Sequence, residues 1–503
     1  MGDVMGTVWS GLPVRLLARS LASSLTGSLA RGLVAGIVAG VVAGLAAGMA
    51  LGPAPAHAQD LRPDRAAFRA IYRELVETDS SEATGSCTRA AEAMAAHLRA
   101  AGYPEADLRV ITPDGRPDDG NLVAVLHGSS RQRAVLLLAH IDVVNANRAD
   151  WERDPFKLVE ESGFFYGRGA SDDKAMAAVF VDLMVRLRTE RLRPRRSIKL
   201  ALTCGEETSS RINGVDFLLH QHRDWLQADF ALNEGAGGML ASDGRRVALN
   251  VQAGEKIHQV YTLTVVNPGG HSSRPVAENA IYRLSVGLGR IAQYQFPVDL
   301  NPVTRTFFAR MAPIVGGDTG HAMAALAADP TNSAAAEVLA RDPDYNGAMR
   351  TTCVATQVTA GHAPNALPQR AVATISCRVL QGHTPEEVQV NLQAALSDPQ
   401  VQVDIVRRRD GSAAPPLTRQ VMAPVERAAA RLWPGAPVVP IMLVGATDGR
   451  FLNNAGIPTY GISGMFAIPG ENNLHGLNEK IRVQSLYEGR DFLEAIVRDY
   501  ARQ

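Results

Sequence analysis

The sequence predicts an α/β catalytic domain interrupted by an inserted ferredoxin-like α+β (βαββαβ) domain. Three observations carry this. Buried-strand runs of Val, Leu, Ile and Ala alternate with helical patterns up to about residue 254, and the same texture returns after residue 411. Between them the elements come in the order strand, helix, strand, strand, helix, strand. Three of the buried runs end in histidine or acidic residues, at the strand ends where an α/β sheet keeps its chemistry.

A chain of 503 residues, 46% hydrophobic and 20% charged, has room for both domains. Its 51 basic residues balance 51 acidic ones, and no basic stripe is interleaved with aromatics, so nucleic acid is not expected as a partner. At the N-terminus, Arg15, Arg19 and Arg31 precede an uncharged run over 32–52, and Ala56-His57-Ala58 fits a small-x-small cleavage site. Residues 1–58 therefore read as an export signal cut before Gln59, with a periplasmic or secreted product. The run is also about long enough to span a bilayer, so an uncleaved inner-membrane anchor is the alternative, and membrane contact is expected only in that case.

The catalytic domain is assigned residues 60–254 and 412–503. Apolar residues recur at helical spacing over 65–77 and 87–101, with Gly102 as a stop. Residues 108–111, 121–127 and 134–139 read as strands, the third delivering His140, with Asp142 on the same side if the strand continues. Gly163, Gly167 and Gly169 punctuate a hairpin that brings Asp172 and Asp173 to the start of a helix over 175–188. The strand 197–203 runs into Glu206 and Glu207, a pair in which one carboxylate can bind a cation while the other takes a proton from water. A helix over 214–222 and a strand over 229–232 lead to Glu234. After the insert come a helix over 422–432, a strand over 438–444, a turn, a short strand from Thr459, and a loop holding His475 before the terminal helix.

The insert is assigned residues 255–411: a strand over 258–266, a glycine-rich turn at Gly269-Gly270-His271, a helix over 279–292, strands over 352–359 and 371–380, a helix over 385–396 and a strand over 401–406. Residues 297–350 read as an irregular, alanine-rich stretch. The four cysteines make no metal-type CxxC pattern. Cys353 and Cys377 face each other if their strands form a hairpin, so one disulfide or free buried thiols are both open.

The motifs AHIDVV, YGRGASDDKA, GEETSS, LNEG, GGHSSRP, PNALP with a following Arg, and LHGLNE stand in the order found in M20-family metallopeptidases. After residue 60 the chain resembles that family, in particular its carboxypeptidase S and aminoacylase-1 branch. The resemblance implies a zinc-exopeptidase-type catalytic domain with a lid and dimerisation domain inserted. It implies two Zn2+ per subunit roughly 3.5 to 4 Å apart, with Co2+ or Mn2+ as substitutes. By position the ligands would be His140, Asp172, Glu207, Glu234 and His475, Asp172 bridging, with Asp173 as the neighbour most easily confused with it. Glu206 would be the general base, taking a proton from the attacking water and passing it to the leaving amine. Asp142 would orient His140 through its other ring nitrogen. His271 would polarise the scissile carbonyl, within its own subunit or across a homodimer formed by the insert. Asn365 would serve the oxyanion, and Arg378 would fork onto the substrate carboxylate. The expected activity is that of a carboxypeptidase or dipeptidase acting on small peptides. The alternatives are removal of the acyl group from an N-acyl amino acid, and a catalytically silent binding protein.

Overall fold

The run Val135–His140 is buried at every position, and its side chains divide between two cores by simple alternation. Val135, Leu137 and Ala139 pack with the helices Pro63–Glu77, Cys87–Ala100, Lys174–Thr189 and Val483–Arg502, whereas Leu136 and Leu138 pack under Gly214–Gln221. A strand covered on both faces is what a continuous apolar run requires. The computed structural model describes residues 63–208 and 210–503, all within the unit Leu61–Gln503. The export-signal reading of residues 1–58 lies outside the described residues.

Val135–His140 lies inside a ten-stranded mixed sheet, flanked by Ile198–Thr203 and Phe230–Asn233. Both neighbours run parallel to it, with His140 opposite Thr203 and Leu137 opposite Leu232. Parallel register puts the carboxyl ends of all three strands on one edge, so the residues that follow them meet. The strand Arg246–Glu255, too polar in its alternation to be anticipated, joins the same sheet and pairs with Val438–Leu443.

The insert builds a separate antiparallel sheet in the order Thr352–Ala360, Arg370–Val379, Ile257–Val266, Gln402–Ile405, which is the ferredoxin-like arrangement. Ala371, Ala373, Ile375, Cys377 and Val379 alternate onto the face covered by Ala280–Gln293 and Pro385–Leu396. The second of these helices starts on a capping box, Thr384 with Glu387, and a proline in its first turn.

Residues 297–350 depart from expectation. They form four helices, Pro302–Val315, Gly317–Ala328, Ser333–Leu339 and Pro343–Met349. Although they fall within the span 255–411, their apolar faces pack with Ala248 and Val439 of the large sheet. The small sheet is thus built from the flanking parts of that span alone. The alanines and glycines here give little hydrophobic contrast, but Asn301-Pro302 and Asp342-Pro343 are N-cap and first-turn pairs that mark two of the starts. The cysteines also exceed expectation, with two disulfides rather than at most one. Cys353 bonds Cys377 across the hairpin, and Cys87 bonds Cys204, tying an N-terminal helix to the strand end before Glu206.

Candidate metal centre

Three strand ends and two loops converge on one edge of the large sheet. His140 closes its strand and is 2% exposed. Glu206 and Glu207 follow Thr203 through Gly205, whose φ of 87° and close approach to the Ile212 carbonyl leave no room for a side chain. Glu234 follows Asn233, Asp172 precedes the helix Lys174–Thr189, and His475 lies in the loop before Val483–Arg502.

The five expected ligands come together as two triads that share Asp172. His140 Nε2 is 3.1 Å from Asp172 Oδ1 and 3.9 Å from Glu234 Oε2. His475 Nε2 is 3.1 Å from Asp172 Oδ2 and 3.0 Å from Glu207 Oε2. Within each triad the donor atoms lie within 4.8 Å of one another. Asp172 thus turns one oxygen to each group, which a single carboxylate between two cations would do. Imidazole with carboxylates is a donor set that suits zinc. The neighbouring Asp173 carboxylate is buried and belongs to neither triad.

Asp142 meets the other ring nitrogen of His140 with its main chain rather than its carboxylate. His140 Nδ1 is 3.0 Å from the Asp142 backbone carbonyl, while the nearest carboxylate oxygen is 3.7 Å away. The buried carboxylate accepts the backbone N–H groups of Glu206 (3.3 Å) and Glu207 (3.0 Å). One residue therefore orients the histidine with its main chain and the paired glutamates with its side chain.

Burial, reinforced by Glu234, Asp448 and Glu207 against the pull of His140, pushes the Glu206 carboxyl up to about 10. Burial also raises Glu234 well above the usual range. Hydrogen bonds to Asp172 and Glu207 lift His475 to about 10. Asp172 is held low, its burial outweighed by the two histidines. These shifts describe a buried site with too many carboxylates for the positive charge available, which divalent cations correct. His475, lifted by its carboxylate partners and a member of the second triad, must give up its proton for zinc to bind. Calorimetric titration at pH 7 in two buffers of different ionisation enthalpy is expected to show about one or more protons released per chain, with apparent affinity rising as pH rises toward 10. Proton-neutral binding would contradict this charge assignment.

Asp448, read from sequence only as part of a turn, is buried beside the centre. It accepts hydrogen bonds from Asn213 Nδ2 (2.5 Å) and Thr203 Oγ1 (3.3 Å). Its signal was present, since it too is an acid following a buried strand, Val438–Leu443.

The remaining expected residues sit on the insert. His271 pairs in register with Ala366, the Ser273 hydroxyl is 2.7 Å from its Nδ1, and Ser272 N–H donates to the Asn365 carbonyl. His271 and Asn365 are thus neighbours, both exposed. Arg378 stands opposite His258 on the insert sheet, and among the described residues no hydrogen bond or ion pair holds its guanidinium. None of the three lines the cavity of about 850 Å³ around the triads of the same chain. His271, expected to act either within its own subunit or across a homodimer, thus stands outside the cavity of its own chain. Asp172, Glu206, Glu234 and His475 line that cavity, with Met176, Met239, Leu443, Met465, Ile468 and Leu474 supplying apolar wall.

Residues 136–499 match the family model described as peptidase family M20/M25/M40. The N-fatty-acyl-amino acid synthase/hydrolase PM20D1 of Xenopus tropicalis is 29% identical over 358 residues, 70% of this chain and 69% of the relative. A probable carboxypeptidase S-like 2 of Dictyostelium discoideum is 25% identical over 390 residues, 73% of this chain and 72% of the relative. Among solved structures, the M20 family metallo-carboxypeptidase Sso-CP2 of Sulfolobus solfataricus superposes with a TM-score of 0.61 at 19% identity, over 86% of this chain and 99% of that one.

Proposed function

Since the chain belongs to peptidase family M20/M25/M40 and is a metal-dependent hydrolase of peptide or amide bonds, we propose that it cleaves an amide bond next to a free carboxylate in a small substrate. The observation that carries this is the pair of triads sharing Asp172, with Glu206 in the same cavity but in neither triad. His140, Asp172 and Glu234 would hold one cation, and Asp172, Glu207 and His475 the other, zinc being the best fit to these donors. Bound cations supply charge that polarises the scissile carbonyl and eases deprotonation of water. Glu206 takes the proton of the attacking water and returns it to the leaving nitrogen. The backbone hold of Asp142 keeps that carboxylate in place.

A carboxypeptidase or dipeptidase is the first reading, supported by the unpaired Arg378, whose planar fork suits a substrate carboxylate. Hydrolysis of N-acyl amino acids is the second, favoured by the methionine-rich cavity wall and by the PM20D1 relative. A panel of dipeptides, C-terminally amidated dipeptides and N-acyl amino acids of increasing chain length separates them. Amidated substrates are expected to fail. Arg378→Ala is expected to raise KM by about ten- to a hundredfold with a smaller effect on kcat, as loss of charged hydrogen bonds predicts. Equal cleavage of amidated and free substrates would remove the carboxylate from the account.

The same reading includes a homodimer through the insert, in which His271 and Asn365 serve the partner's cavity. It is supported by their exposure and by the edge strand Thr352–Ala360, where Val354 and Val358 are more than half exposed. A monomer in sedimentation would contradict it. Export is also proposed, supported by the N-terminal sequence and by two disulfides, which persist outside the reducing cytosol. Recovery of the protein in the cytoplasmic fraction would contradict that.

A further inference from the structure

The LHGLNE motif ends in Glu479, to which neither the resemblance nor the metal triads assign a task. Its side chain is 1% exposed, and every acceptor direction of its carboxylate is used. Oε1 accepts the backbone N–H groups of Ser171 (2.8 Å) and Asp172 (3.0 Å). Oε2 accepts Gly169 N–H (2.9 Å) and Arg168 Nη1 (2.9 Å). The other arm of Arg168, itself 2% exposed, donates to the carbonyls of His475 (3.3 Å) and Gly476 (3.0 Å). A carboxylate offers about four lone-pair directions, so the arrangement is saturated.

We propose that Glu479 and Arg168 are positioning residues of the metal centre: a buried ion pair that fastens the loop carrying Asp172 to the loop carrying His475. The inference rests on the two-cation reading above and adds to it a device that sets the second triad. Lys480–Arg482 pairs with Phe164–Tyr166, and Asn472 Nδ2 donates to Ser171 Oγ, so the two loops are zipped together on either side of the pair. His140 and Glu234 stand on strand ends that the pair does not touch, whereas Asp172 and His475 both hang on it. A buried ion pair adds little net stability over an apolar substitute, so its value here lies in holding these two backbones at a fixed separation.

The test is calorimetric zinc titration of the metal-free full chain, with cobalt absorption spectra as a second probe, in wild type, Glu479→Gln and Arg168→Lys. An amide has one accepting oxygen, so Gln would turn an NH2 group toward two donors. Lysine keeps the charge but loses the second arm. Wild type is expected to take two ions. Both variants are expected to bind the second zinc, two of whose ligands hang on the pair, about ten- to a hundredfold more weakly, and the first, which shares only Asp172 with it, with a clearly smaller loss, hydrolysis recovering as zinc is raised. Wild-type affinity at both sites in a folded variant would overturn the proposal, as would equal weakening of both. If Glu479→Gln does not fold, the same outcomes in Arg168→Lys decide. A wild type that binds fewer than two ions overturns the two-cation reading and the role of the pair with it.

Discussion

Glu206→Gln is expected to lower kcat by about 10²–10⁴-fold while both metal ions stay bound. Glu206 lines the cavity with Asp172 and Glu234 but belongs to neither triad, so its loss removes no ligand. Gln has the same shape, and the Asp142 carboxylate still holds the backbone N–H groups of residues 206 and 207. What disappears is the ability to accept a proton. The loss corresponds to about 3 to 5 kcal/mol in the barrier. Steady-state kinetics with metal analysis of the same sample checks this, and a variant that keeps both ions and stays within tenfold of wild type would end the assignment of Glu206 as base.

Asp172→Asn is expected to be more damaging, and by a different route. Asp172 is the one residue common to both triads, with Oδ1 toward His140 and Oδ2 toward His475. An asparagine keeps a single acceptor oxygen and presents an NH2 group to the other position, so only one cation can be held well. Metal content should fall to at most one ion per chain. Hydrolysis should drop by roughly three orders of magnitude or more, since the cations contribute several kcal/mol of charge stabilisation. Asp173→Asn is the control. Its carboxylate belongs to neither triad, so both ions should be retained. If the two substitutions exchanged these outcomes, the bridging ligand would be Asp173.

The strand ends were the legible part of the centre. His140, Glu207 and Glu234 announce themselves because apolar runs stop at or shortly before them, and parallel register then brings the three together. His475 lies in a loop and His271 in a two-residue strand after a glycine turn, where no periodicity marks a side chain's direction, and only motif order suggested them. The division of labour in Asp142, main chain to His140 and carboxylate to the glutamate turn, has no trace in residue identity. Glu479 stood inside a recognisable motif but makes its bonds to backbone N–H groups some three hundred positions earlier, beyond the reach of local spacing. In the fold, the ferredoxin-like order was readable from alternation such as Ala371 to Val379. The helices of 302–349 were not, because alanine-rich faces such as that of Gly317–Ala328 barely differ in polarity around the helix.

Crystals of the full chain grown with zinc, measured with anomalous scattering at the zinc edge, test the central claim most directly. The account predicts two peaks per chain, one among His140, Asp172 and Glu234 and the other among Asp172, Glu207 and His475, with Asp172 touching both. A single peak, or peaks away from Asp172, would contradict it.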